Sequence, residues 1–179
     1  DEIIIVGSRE HPESIGLLGY SRGKGVVIQS HEEAEQLPWK TRRAVLSQST
    51  QDMDLFKDVI AALAERTEEL AIFNTICRST LSRQRSTRDL AGKADTMIII
   101  GGRNSSNTRK LHKTAAKILT NTYFIENAGD ISPQMLRGSN IIGLSGGAST
   151  PPEAIQEAVE RIQFCFKHSL REKNVQCQS

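Results

Sequence analysis

The sequence predicts an α/β protein built from two similar small αβ lobes with mainly parallel sheets. Three observations predict it. Short runs rich in Ile and Val alternate with segments of helical periodicity, the pattern of parallel strands covered by helices. The chain also repeats itself. Ile3-Ile4-Ile5-Val6-Gly7 resembles Ile98-Ile99-Ile100-Gly101-Gly102 at an offset of 95, and Val26-Val27-Ile28-Gln29-Ser30 resembles Tyr123-Phe124-Ile125-Glu126-Asn127 at 97. Ser47-Gln48-Ser49-Thr50 resembles the residues ending in Ala148-Ser149-Thr150, at 98 or 99, so three anchors keep their order. Finally, polar loops follow the apolar runs, at the carboxyl ends of strands where such sheets bind ligands.

Strands are expected at 3–6, 26–28, 44–47, 71–73, 97–101, 122–125 and 140–144. The clearest helix is 53–69, where Leu55, Val59, Ile60 and Leu63 share a face. Further helices are expected near 79–92, 108–119 and 152–167. The lobes are read as 1–70, lacking its opening elements, and 71–150, with a C-terminal helix and tail over 151–179.

A length of 179 residues suits one domain or two small lobes. Net charge is +2 with both signs interleaved, which argues against a nucleic-acid arm or a membrane-surface face. No apolar run approaches the ~20 residues of a membrane span, and no signal peptide is visible. Three cysteines, Cys77, Cys165 and Cys177, are too few and too odd a number for a disulfide framework, and fit a reducing compartment. Asp1 leads almost at once into a core strand, so the chain reads as trimmed or partial.

The most informative stretch runs from Ile98 to Thr108. A buried strand ends in two glycines, then Asn104-Ser105-Ser106-Asn107 gathers hydroxyls, amides and free backbone N–H groups at a helix start. That suits a small anion, most simply a phosphate or diphosphate. His11-Pro12-Glu13 offers a donor to phosphate oxygen and a proton carrier, or else a solvated loop with Pro12 setting a turn. The hydroxyls of Ser47-Gln48-Ser49-Thr50 bind a ligand or relay a proton, or cap helix 53–69 in competition with Asp52. Cys77 precedes a helix, with Arg78, Arg83 and Arg85 close in sequence, which favours thiolate as nucleophile or iron ligand; inert packing is the alternative. At the last loop Thr150, Pro151 and Glu153 read as cap, first helical residue and capping box. Gly146, Gly147 and Ser149 are left over for a ligand. No Ser/His/Asp triad, Walker A loop or GxGxxG is present.

These residues, in order, resemble the 4-hydroxy-3-methylbut-2-enyl diphosphate reductase (LytB) family from about residue 2 to 165. The resemblance is carried by His11-Pro12-Glu13, Ser47-Gln48-Ser49-Thr50, Thr75-Ile76-Cys77 with Arg83-Gln84, Gly102-Arg103-Asn104-Ser105-Ser106-Asn107-Thr108, and Gly147-Ala148-Ser149-Thr150-Pro151. It implies a three-lobed pseudo-symmetric fold around a 4Fe–4S cluster held by three cysteines, of which this chain matches the second and third lobes. It implies two-electron reductive dehydroxylation of an allylic diphosphate to isopentenyl and dimethylallyl diphosphate in non-mevalonate isoprenoid synthesis. The electron donor would be of ferredoxin or flavodoxin type, and the location bacterial cytoplasm or plastid stroma. Cys77 would be a cluster ligand, Glu13 the proton donor beside the Ser49 hydroxyl. His11, Ser105, Ser106, Asn107 and Ser149 would hold the substrate. The family's other two cluster cysteines and two further substrate histidines have no counterpart here, and Ser49 stands where Thr is usual. The chain alone is therefore expected to be inactive. Two other readings of the same residues are a non-catalytic diphosphate-binding module and a sugar-phosphate isomerase-like αβ domain with Glu13 as base.

Overall fold

Parallel pairing organises both halves of the chain. The computed structural model describes residues 2–176, with side chains through 167. Contacts divide the chain into two units, one ending at Leu81 and the next starting at Ser82. The first unit runs β1 (Glu2–Val6), α1 (Pro12–Tyr20), β2 (Gly25–Ile28), α2 (His31–Glu35), β3 (Lys40–Ser47), α3 (Met53–Ala64) and β4 (Thr67–Phe73). Its sheet has the order β2-β1-β3-β4, all parallel. Helix α4 (Arg78–Ala91) leads into the second unit, with β5 (Thr96–Ile100), α5 (Ser106–Ala116), β6 (Thr122–Ile125), β7 (Ile142–Gly146) and α6 (Pro152–Gln176). That sheet has the order β6-β5-β7, again parallel. The molecule is thus two small αβ lobes, as the alternation of strand and helix predicts.

The central strands explain the pairing. Ile4, Ile5 and Val6 of β1, and Met97 through Ile100 of β5, have no exposed surface. A strand apolar on both faces must be flanked by strands and covered by helices on each side. In the first unit α2 and α3 supply one cover, with Ala34, Phe56, Val59 and Leu63 packed on Ile4, Val6 and Val45. In the second, α6 packs over Ile98 and Ile100, while Leu111 and Ala115 of α5 pack on Met97 and Ile99.

Four expectations are corrected. Helix α3 stops at Ala64, not 69, because Thr67–Phe73 extends and pairs with β3. The strand expected at 71–73 therefore completes the first sheet, with Ala44 opposite Ala71 and Leu46 opposite Phe73. Strand β3 begins four residues early, at Lys40, because Arg43 is buried yet fully paired. Its guanidinium binds Glu2 at 2.7 Å, the Arg66 carbonyl at 2.9 Å and the Pro38 carbonyl at 2.5 Å. Pro12 sets no loop turn; it is the first residue of α1, where a missing N–H costs nothing. Both α1 and α2 escape the sequence pattern, since α1 is interrupted by Gly16 and Gly19 and α2 is five residues long.

The internal repeat has a backbone basis. Gly7 N–H donates to Ile28 and Gly101 N–H to Ile125, each at 3.0 Å. Likewise Gln48 N–H donates to Val6 and Gly147 N–H to Ile100. The equivalent positions are therefore Gly7 with Gly101, Ile28 with Ile125 and Gln48 with Gly147. The first anchor lies at an offset of 94, one less than the sequence match gives, and the other two at 97 and 99.

Gly143 on β7 lies against Leu90 of α4 and Met97 of β5. A Cβ there would sit 2.9 Å from Leu90 Cγ and collide with the buried Met97 sulfur. Gly143→Ala is expected to destabilise the chain by about 1–3 kcal/mol through overpacking, read as a lower midpoint in urea with unchanged slope.

Candidate functional site

In the first unit the carboxyl ends of β1, β3 and β4 bring Glu13, Ser49 and Cys77 together. His11 is the N-cap of α1, and its Nδ1 accepts the Glu13 N–H at 3.2 Å. A neutral ring so bonded carries its proton on Nε2, which remains a donor. Glu13 lies in the first turn of α1. Its Oε1 accepts the Ser49 N–H at 2.8 Å and its Oε2 accepts the Ser49 hydroxyl at 2.9 Å. The Ser49 carbonyl in turn accepts the Cys77 N–H at 2.9 Å. Ser49 is thus bonded to the carboxylate on one side and to the cysteine backbone on the other.

Cys77 is exposed, and its Sγ lies 3.1 Å from Ser79 Oγ. The Ser79 hydroxyl, then the Ser79 and Thr80 N–H groups at the start of α4, hold the thiol below the ordinary cysteine range. Hydrogen bonding to the thiolate is the cause. The other loop residues have structural work. Asp52 caps α3 through the Asp54 and Leu55 N–H groups, which releases the hydroxyls of 47–50 from that role. Gln48 is wholly buried, accepting the Ser8 N–H and donating to Thr50 Oγ1 at 2.7 Å.

The second unit assembles a different set at the same sheet edge. Gly101 closes β5 at φ +150°, which favours glycine, and a Cβ there would lie 3.0 Å from Thr108 Oγ1. Ser105 caps α5 by accepting the Thr108 N–H at 3.3 Å, and Ser106 opens the helix. Asn107 is 7% exposed, and neither its Oδ1 nor its Nδ2 has a partner. Thr108 Oγ1 is buried and unpartnered beside Gly101 and Gly147. Ser149 is exposed on the last loop. Thr150 does not cap α6 as expected; its hydroxyl donates to the Ile100 carbonyl at 3.0 Å, and the helix starts at Pro152.

The repeat aligns these sets residue by residue. Counting from Gly7 and Gly101, His11 corresponds to Ser105, and both are N-caps. Glu13 corresponds to Asn107, and Ser14 to Thr108, both of which bury an unpartnered hydroxyl. Counting from Gln48 and Gly147, Ser49 corresponds to Ala148. The acidic position of the first unit has a hydroxyl partner in the neighbouring loop. The amide position of the second has a methyl there. A buried amide without protein partners carries an unmet desolvation cost that a polar ligand relieves. Partial positive charge at the α5 N-terminus selects an anion for that role.

Among the described residues no group of three or more His, Cys, Asp or Glu side chains gathers to hold a metal. Cys165, on α6, is buried in the core of the second unit, and Cys177 lies outside the described residues. Among the described residues three thiolates for a cluster are therefore not gathered.

The sequence profile described as LytB protein matches residues 1–163. The chain belongs to the LytB family. Two curated relatives, both named 4-hydroxy-3-methylbut-2-enyl diphosphate reductase, come from Caldanaerobacter subterraneus and Aquifex aeolicus. They are 43% and 42% identical to this chain across 90% of it, and the matches cover 56% and 57% of their own lengths. This chain thus spans little more than half of the LytB relatives it matches. A solved (E)-4-hydroxy-3-methyl-but-2-enyl diphosphate reductase, described as the terminal enzyme of the non-mevalonate pathway, is 41% identical with a TM-score of 0.52. That match covers 90% of this chain and 59% of the other. The Plasmodium falciparum E-1-hydroxy-2-methyl-but-2-enyl-4-diphosphate reductase matches at TM-score 0.83 and 24% identity, over 89% of this chain and 51% of the other, a likeness of fold.

Reading the residues singly gave Ser14 no role; at an offset of 94 the repeat aligns it with Thr108, and both bury an unpartnered hydroxyl. The contrast between the units predicts opposite effects of removing polar groups. Ser49→Ala is expected to cost about 1 kcal/mol by stripping a donor from Glu13. Asn107→Leu is expected to leave the ligand-free chain as stable or more so, since it removes an unpaired buried amide. Urea unfolding of both variants measures the contrast.

Proposed function

We propose that this chain is the second and third lobes of a LytB reductase, carrying its proton donor and its diphosphate grip. The substrate would be 4-hydroxy-3-methylbut-2-enyl diphosphate. Two electrons and two protons would be consumed: one proton carries the hydroxyl away as water, and the second adds to the reduced allyl group, yielding isopentenyl or dimethylallyl diphosphate. The observation that carries this reading is the Glu13–Ser49–Cys77 chain of hydrogen bonds in a LytB family member.

Glu13 would protonate the departing oxygen, since hydroxide leaves poorly and water leaves well. Ser49 suits the task because its hydroxyl can turn. It donates to ionised Glu13, and it accepts when the Oε2 atom holds a proton. The acid is thus held in place in both states. His11 Nε2–H, Ser105, Ser106, Asn107 and Ser149 would bind the diphosphate, mostly as neutral donors. Anchoring that end fixes the allyl group and removes orientational freedom from the reacting step. Ferredoxin or flavodoxin would supply electrons, in bacterial cytoplasm or plastid stroma.

The family resemblance implies a 4Fe–4S cluster with three cysteine ligands. Of these the chain would offer Cys77, and the bound cluster would supply the electrons and an iron to polarise the departing hydroxyl. The remaining ligands would come from outside the described residues.

Anaerobic treatment with iron and sulfide tests the reading. The chain alone is expected to form no stable cluster and to show no turnover; a stable, active cluster would overturn this. Calorimetry with substrate is expected to show diphosphate-dependent binding that Asn107→Leu weakens at least ~10-fold, about 1.4 kcal/mol. Glu13→Gln is expected to retain it. Absence of diphosphate binding would remove the grip from the reading. Binding that survives Asn107→Leu would remove Asn107 from it.

A further inference from the structure

We propose that Thr75 is a positioning residue that sets Cys77 against Ser49, and through Ser49 against Glu13. The importance of that spacing rests on the reductase reading; the placement does not. Strand β4 pairs with β3 up to Leu46 opposite Phe73 and then leaves the sheet. One step further along β3, Ser47 still needs partners, for it is 1% exposed. The Thr75 side chain supplies them. Its Oγ1 accepts the Ser47 N–H at 2.9 Å and donates to the Ser47 carbonyl at 2.5 Å. It also lies 3.3 Å from the Ser47 hydroxyl. A side-chain hydroxyl thus replaces the next rung of the backbone ladder.

The replacement frees the backbone of residues 74–77 to turn. Asn74 Oδ1 accepts the Ile76 N–H at 3.2 Å, and Ile76 buries its side chain in the core of the first unit. The turned chain delivers the Cys77 N–H to the Ser49 carbonyl. Ser47 and Ser49 are two residues apart on one loop, and Thr75 and Cys77 two apart on the next. Two ties therefore join the loops in register, the Thr75 hydroxyl to Ser47 and the Cys77 amide to Ser49. A single tie would let the Cys77 loop pivot; two fix it. The second tie is a main-chain bond that any residue at 77 could make. The first depends on a hydroxyl at 75.

Native-state hydrogen exchange and amide NMR shifts on the full chain test the proposal without substrate or cluster. In Thr75→Val the Cys77 amide is expected to exchange at least ~10-fold faster. The Ser49 amide resonance is expected to move away from its carboxylate-bonded position. Amides of Ile4, Ile5 and Val6 at the sheet centre are expected to keep their rates. Thr75→Ser, which keeps the hydroxyl, is expected to restore both signals. Should Thr75→Val fail to fold, Thr75→Ala removes the hydroxyl without new bulk and gives the same measurement. Wild-type Cys77 and Ser49 amides in the hydroxyl-free variant would overturn the proposal. So would a failure of Thr75→Ser to restore them. An equal rise at Ile4 to Val6 would also overturn it, since the hydroxyl would then support the whole unit rather than the loop. None of these outcomes bears on diphosphate binding, so this proposal and the reductase reading fail separately.

Discussion

Each sheet is governed by a central strand whose apolar run, Ile4 to Val6 or Met97 to Ile100, is buried on both faces. Such a strand needs neighbours on both edges and helices on both faces. Short segments meet that need through parallel pairing with crossover helices. Parallel pairing then has a geometric consequence. All strand carboxyl ends, and the helix starts that follow them, fall on one edge of each sheet. Polar side chains confined to the connecting loops have nowhere else to gather. The chemistry at the ends of β1, β3 and β4, and at the ends of β5 and β7, follows from that constraint.

The same edge has been put to two uses. In the first unit the residue two past the N-cap of α1 is Glu13, and the facing loop offers the N–H and hydroxyl of Ser49. The carboxylate is satisfied within the protein. In the second unit the corresponding residue is Asn107, and the corresponding loop position is Ala148. The amide is left with no partner from the protein. One lobe therefore pairs its carboxylate internally, while its counterpart leaves a buried amide unpaired. A hydroxyl at 49 against a methyl at 148, on backbones that pair alike, is one part of the difference. Gly147 extends the contrast, standing beside Thr108 Oγ1 where the first unit has Gln48.

Much of this was legible before the structure. Each of the seven strands among the described residues overlaps its expected run of Ile, Val or aromatic residues, although β3 and β4 begin four residues before the expected bounds and β7 lies two residues later. The helices were harder to place. Helix α3 declares itself by period, yet its end is set by the pull of Thr67–Phe73 into the sheet. Helix α1 buries only Ser14 among its nine residues, so no apolar stripe announces it. Arg43 disguised the start of β3, since its charge is tolerable inside only with the carbonyls of Arg66 and Pro38 and the carboxylate of Glu2 around it. Those partners are distant in sequence.

By itself the sequence determined the α/β class, the doubled lobe, the polar loops at the strand ends and, through the order of those loops, the LytB family. These depend on residue type and local period, which a linear string records. Only the tertiary structure decided which polar groups are satisfied and which are not. It assigned capping of α3 to Asp52, bonded Thr150 to Ile100 instead of to its helix, joined Glu13 to Ser49 and Cys77, and left Asn107 unpaired. The reason is physical: a hydrogen bond depends on which atoms the parallel register brings within about 3 Å, and that register forms between segments dozens of residues apart.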